Sequence, residues 1–290
     1  MKKMALLYII LASVLWGTSG IFVHYTSPYG FSSLQMTLIR VIVSLVCMGV
    51  YILIADRKLF KAKLKELLLF AGSGVGLFGT ASFYFTSMQL TSVSTGVVLM
   101  YTAPILVMLF SVAFLGEKLT KVKTAAIVSM IVGCGLVSGI IGGLRFDALG
   151  IFYGFMSGVS YASYNIFTKI EMKHNSNPIT ANFYCFLFAT IVGFLISDPL
   201  EIPVYISKNP PVTISLTVGM GIATCILPYL FYTLALKNIP AGTASSMAIL
   251  EPMAATVFSV IILSEDLHPT SMLGIILILS SVLVLSRQKE

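Results

Sequence analysis

Charge is what this chain has least of. Asp, Glu, Lys and Arg make up 10% of its 290 residues, where a soluble domain carries roughly a quarter. Hydrophobic residues make up 57%, and the mean hydropathy is +0.97. This excludes a soluble fold, which would have too little polar surface to turn toward water. Cysteine and histidine are also sparse. Cys47, Cys134, Cys185 and Cys225 are far apart, with no C-x-x-C, and His24, His174 and His268 stand separately. Neither a disulfide framework nor a metal site is expected. There is no G-x-S-x-G, H-E-x-x-H or phosphate loop, so no catalytic residue and no cofactor is expected. Gly74-x-Gly76-x-x-Gly79 lies inside an apolar run with no strand before it, which reads as close helix packing, not dinucleotide binding.

What is abundant is apolar sequence in long runs. A helix needs about 20 mainly apolar residues to cross some 30 Å of hydrocarbon. Uncharged runs predict ten such spans, near 4–24, 32–54, 66–88, 93–115, 122–141, 148–168, 179–197, 213–236, 241–263 and 270–286. The opening Met-Lys-Lys is read as the start of the first helix, because no small-residue cleavage site follows it. With ten spans both termini share a side. That side holds fifteen of the eighteen basic residues; Arg145 and Lys208 fall on the other, and Arg40 lies inside a span. Lys and Arg are retained in the cytoplasm, so both termini are expected there. The net charge of +7 is then topology plus attraction to anionic headgroups. Nucleic acid is not an expected partner.

The chain also repeats itself. Shifted by 148 residues, 83–119 aligns with 231–267 without a gap and with ten identities: Phe83, Tyr84, Thr95, Pro104, Phe110, Ser111, Val112, Leu115, Glu117 and Leu119 meet identical residues. Apolar composition would raise the score but would not align both prolines and both loop glutamates. A weaker match at 145 sets Ile21-Phe22 over Ile166-Phe167. Two repeats, 1–144 and 145–290, are expected to form one membrane bundle. Five spans in each is an odd number, so the second must enter the membrane from the opposite side. The loop at Glu117 carries Lys118, Lys121 and Lys123, whereas its copy at Glu265 carries Asp266 and His268 instead. Inverted repeats suit alternating access about a midplane site.

In this setting Trp16-Gly17, Arg40, the Pro104…Gly116-Glu117-Lys118-Leu119 run and the Glu251-Pro252…Ser264-Glu265 run form a pattern spaced through both halves. It resembles the ten-helix, EamA-type branch of the drug/metabolite transporter superfamily over essentially the whole chain. Ser264 departs from the usual glycine. The resemblance implies two inverted five-helix repeats whose spans 3, 4, 8 and 9 line a central cavity. It also implies transport of amino acids or other small metabolites, often outward, across a bacterial plasma membrane.

Two charges lie deep in the predicted spans, Arg40 and Glu251. Insertion scales place the cost of each near 2.5–3.5 kcal/mol, so both need a partner or a wet cavity. Glu251 lies about ten residues, ~15 Å, from its cytoplasmic end at 1.5 Å per residue. Arg40 lies about eight residues, ~12 Å, from its external end, so the two depths are compatible with a pair. A carboxylate suits a proton or an amine, and a guanidinium forks onto carboxylate; together they would suit a zwitterion. The bland alternative is a structural ion pair. Pro104, Pro228 and Pro252 mark bends at a cavity or simple packing kinks, since each removes a backbone donor. Polar and aromatic stripes on spans 1, 3 and 6 include Trp16, Tyr84, Tyr161, Tyr164 and Asn165. Tyr84 and Tyr232, paired by the repeat, could with Tyr101 and Tyr161 stack a ring or a cation.

The reading that joins these is an all-α integral membrane protein of ten transmembrane helices, acting as a secondary transporter that exports or exchanges amino acids or related metabolites. Its expected partners are a small-molecule solute, with proton coupling as an option, the lipid bilayer and, as a candidate, a second copy of the chain. The alternatives are a carrier of organic amines or cationic drugs, and a membrane-embedded lipid-modifying enzyme.

Overall fold

The computed structural model describes residues 2–91, 93–116, 118, 120–137, 147–264 and 268–287. The loop residues Glu117, Leu119, Arg145, Glu265, Asp266 and Leu267 and the expected 144/145 boundary lie outside them. Among the described residues the chain is all-helical, with no strand. In hydrocarbon a helix satisfies its backbone within itself.

The helices run α1 (Lys2–Gly17), α2 (Ser19–Thr26), α3 (Ser33–Ala55), α4 (Leu64–Leu90), α5 (Val93–Met100), α6 (Ala103–Phe110), α7 (Lys121–Val137), α8 (Ala148–Lys173), α9 (Pro178–Ile196), α10 (Ile202–Ser207), α11 (Pro210–Gly221), α12 (Leu227–Leu236), α13 (Ala241–Met247), α14 (Leu250–Leu263) and α15 (Pro269–Arg287). Among the described residues, seven runs are long and apolar enough to cross a membrane: Lys3–Tyr29, Ser33–Ala55, Leu64–Leu90, Thr95–Leu115, Pro178–Ile196, Pro210–Leu236 and Ala241–Leu263. The helices α7, α8 and α15 occupy the places of the other three expected spans. Of these, α8 has the length but carries Ser157, Ser160, Ser163, Asn165 and Thr168, and the apolar part of α15 is Pro269–Leu285.

Local sequence sets where helices start and stop. Ser32 and Gln35 form a reciprocal capping box ahead of α3, Asp147 accepts from the Gly150 amide at 2.7 Å, and Asn177 caps α9 with Pro178 in its first turn. Each satisfies a backbone donor that the first helical turn leaves free. Three of the runs are broken in mid-course. The breaks fall at Thr18, at Tyr101–Thr102 and at Ala248–Ile249. The last two sit just ahead of Pro104 and Pro252, where the proline cannot donate to the residue four back. The chain tightens there instead: the Thr102 amide bonds Leu99 at 3.2 Å and the Glu251 amide bonds Ala248 at 2.9 Å, each three residues back. Before Pro228 the helix widens into a π turn over Ile222–Ile226.

Partners cross between the two halves of the chain. Helix α4 packs on α8 and α9, α1 packs on α12 and α14, α3 packs on α9 and α11, and α7 packs on α15. Small residues permit the close approaches, as expected where helices associate by packing and not by a hydrophobic force. A Cβ on Gly76 would stand 2.8 Å from the Tyr164 amide nitrogen, and one on Gly274 would stand 2.5 Å from the Gly133 carbonyl.

Candidate functional site

The breaks in α1/α2, α5/α6 and α13/α14 bring polar groups into the middle of the bundle. Glu251 lies in the first turn of α14, where the positive end of the helix dipole favours a carboxylate. Tyr101, at the end of α5 and 2% exposed, donates from its hydroxyl to Glu251 Oε2 at 3.0 Å. The break therefore does two things. It exposes an anion-favouring helix start, and it aims a phenol from the repeat-related break at that anion.

Beside this pair lies an aromatic cluster. The Trp16 ring, 6% exposed, stands 5.1 Å from Tyr229 and 5.3 Å from Tyr232. Tyr164 meets Tyr229 edge-on at 5.4 Å and stacks on Tyr161 at 6.4 Å. The Tyr232 hydroxyl donates to Asn165 Oδ1, and Asn165 Nδ2 donates to the Tyr161 carbonyl at 2.7 Å. One asparagine thus ties α12 to α8. Trp16 Nε1 and the Tyr164 hydroxyl are buried with no hydrogen-bond partner among the described residues. Glu251, Tyr84, Tyr161 and Tyr229 are each half-buried, and the carboxylate acts on all three tyrosines.

Arg40, on α3, is half-buried. Its Nε has no partner among the described residues, and its charge acts on Glu251 and on Tyr229 through space. The two deep charges therefore face one region without a direct bond; Tyr101, not Arg40, holds the carboxylate. Tyr84 lies within electrostatic reach of the same carboxylate. Pro104 and Pro252 follow the two breaks, and Pro228 follows the π turn.

Sequence reasoning missed Tyr229, which contacts Trp16, Tyr164 and Phe186. Its spacing from Tyr232, three residues on one helix, was the available signal. Buried charges near the ends of spans were also passed over: Lys123, 5% exposed, at the start of the fifth, and two that follow the predicted end of the sixth. Lys169 is 9% exposed, and Glu171 is 1% exposed with Oε1 unpartnered among the described residues.

The profile of the EamA-like transporter family matches residues 3–139 and, a second time, 148–287. An uncharacterized transporter of Bacillus subtilis, YwfM, is 27% identical over 97% of this chain and 93% of its own length. An uncharacterized transporter of Archaeoglobus fulgidus is 25% identical over 97% and 95%, and the uncharacterized inner membrane transporter YicL of Salmonella typhimurium is 25% identical over 98% and 95%. A crystal structure with 18% identity superposes with a TM-score of 0.81, covering 97% of this chain and 95% of the other; at that identity the likeness is one of fold.

Proposed function

The chain belongs to the EamA-like transporter family, within the drug/metabolite transporter superfamily, and from that premise we propose that this membrane transporter is a secondary carrier of amino acids or related small metabolites. It exports or exchanges them across a bacterial plasma membrane by alternating access. The observation that carries this reading is the Tyr101–Glu251 bond at the meeting of broken helices, with the Arg40 charge in reach and Trp16, Tyr161, Tyr229 and Tyr232 alongside. A carboxylate, a guanidinium and aromatic faces in one region match the ammonium, carboxylate and side chain of an amino acid.

Ten spans in two inverted repeats, with both termini cytoplasmic, complete the proposal. Its support is twofold. The family profile matches each half, and the helix partners exchange between halves: the third span on the sixth is mirrored by the eighth on the first. Five crossings per half make the two halves antiparallel, the arrangement associated with a midplane site that opens to either side.

A carrier of organic amines is the second reading, favoured by Glu251 lying among tyrosines with Arg40 held off it. One experiment separates the two. Solutes that bind the native state raise its apparent stability, so the detergent-purified protein is screened for thermal stabilisation against amino acids, amines and nucleosides, with Glu251→Gln and Arg40→Gln alongside. An amino acid hit lost in both folded variants supports the zwitterion site. An amine hit lost only in Glu251→Gln favours the second reading, and hits indifferent to both changes sink the site.

A further inference from the structure

Ring contacts test the register between the halves. Tyr8 stacks on Phe231 at 5.7 Å, and Tyr153 stacks on Phe83 at 5.9 Å. Tyr8 and Tyr153 are separated by 145 residues, and Phe83 and Phe231 by 148, the same two offsets as in the sequence repeat. The two pairs are one contact made twice. The same offsets set Lys169 over His24, Leu236 and Ile239 over Met88 and Thr91, and Leu115 over Leu263.

At one of these related places the helices are clasped. Lys169 Nζ donates to the carbonyl of Leu236 at 2.7 Å and to that of Ile239 at 2.6 Å, at the C-terminal end of α12 and the turn into α13. One turn further along α8, Lys173 Nζ donates to the Leu115 carbonyl at 2.9 Å. An ammonium at a helix C-terminus satisfies carbonyls that the helix leaves free and meets the negative end of its dipole. Residues 241–250 behind the clasp are all buried.

At the other related place no such clasp is formed among the described residues. His24 is exposed, with its ring against Tyr25 at 5.2 Å. Together with Gly17, Gly20, Thr256 and Ser259 it lines a cavity of about 390 Å³ between α2 and α14. Ala255 and Ser259 in that wall follow Glu251 by four and eight residues, so they share its face of the helix. The cavity therefore runs from the His24 end of the bundle toward the carboxylate.

We infer that Lys169, supported by Lys173, is the positioning residue that latches the cytoplasmic gate while the outer path is open, and that the His24 ring N–H takes up one of the carbonyls at the end of α4, Met88 or Thr91, when the latch releases. This rests on the transport reading above. The physical logic is exchange. The buried ammonium cannot leave two carbonyls unless water replaces it, so release of the latch and hydration of the inner path are one event. The related contact forming on the other side offsets part of what is lost at Lys169, and water entering the inner path takes the rest.

The test needs no solute. Hydrogen–deuterium exchange is followed on the full-length protein in lipid nanodiscs, over 236–248 and over 17–26. In Lys169→Met, exchange in 236–248 is expected to rise at least tenfold while exchange in 17–26 slows severalfold; Lys169→Arg, which keeps the donors, should stay near wild type. Faster exchange confined to 236–248, or no change at all, would overturn the latch and leave Lys169 a local helix cap. Adding His24→Leu to Lys169→Met should abolish the slowing in 17–26, and persistence of the slowing would remove His24 from the mechanism. If Lys169→Met does not fold, the exposed Lys173→Met reads the same two segments and should move them in the same opposed directions. Because exchange requires no ligand, failure of the latch is separable from failure of the solute screen.

Discussion

Glu251 and Asn165 each receive one tyrosine hydroxyl, and the two bonds should behave differently when cut. Hydrogen bonds to charged groups contribute about 1.5–3 kcal/mol, so Tyr101→Phe, which strips Glu251 of its phenol donor, is expected to weaken solute-induced stabilisation roughly tenfold or more in affinity. A titrated thermal shift checks this, and an unchanged affinity would show that the phenol is not part of the binding arrangement. The Tyr232–Asn165 bond is buried and links two helices. Asn165→Leu sets an apolar side chain where the Tyr232 phenol donates and is expected to cost about 1–3 kcal/mol, whereas pairing it with Tyr232→Phe should recover part of that, because the hydroxyl then no longer faces an apolar group. Unfolding midpoints of the single and double variants decide it. Recovery fails if the asparagine matters mainly through its bond to the Tyr161 carbonyl.

At the level of helices, glycine placement separates packing from passage. Gly133 and Gly274 face each other across α7 and α15, and a Cβ on either would meet the other's carbonyl at 2.9 or 2.5 Å. Gly274→Ala must push the helices apart and is expected to destabilise by about 1–3 kcal/mol, the usual range for overpacking. Gly20 is the contrasting case: nothing lies within 4 Å of its would-be Cβ, and it borders the cavity beside His24. Gly20→Ala should therefore be neutral, or stabilising by up to about 1 kcal/mol through helix propensity. Gly20→Leu should fold normally yet slow solute flux in proteoliposomes. A Gly20→Leu protein with undiminished flux would place the solute path elsewhere.

For the molecule as a whole, the proposed topology commits each loop to a side. In a cysteine-free background, Lys61→Cys in the turn between α3 and α4 and Lys208→Cys between α10 and α11 should label oppositely with an impermeant maleimide on intact cells, Lys208→Cys reacting and Lys61→Cys protected until lysis. A green fluorescent protein fused after Glu290 should fluoresce, since it matures in the cytoplasm. Labelling of both positions from outside, or a dark fusion, would reverse or break the inverted-repeat arrangement. The Lys208 ammonium bonds the Tyr29 carbonyl at 2.8 Å, so its substitution is read together with an unfolding curve.

Membrane residence, helix class, the duplication and the bends were legible in the residues, because each depends on local quantities that add along a chain: apolar length, a recurring pattern, a missing proline amide. Composition excluded a soluble fold, and Pro104 and Pro252 marked where helices break. Partner choice was not legible. That Glu251 is held by Tyr101 and not Arg40, that Tyr229 joins Trp16, and that Lys169 reaches Leu236 and Ile239 all depend on how each helix is rotated and how closely it approaches its neighbour. Those angles are set by contacts between residues far apart in sequence, such as Gly76 against Tyr164 and Gly133 against Gly274. A side chain on a helix reaches its partner only from the right face, and the face is decided by packing of the whole bundle.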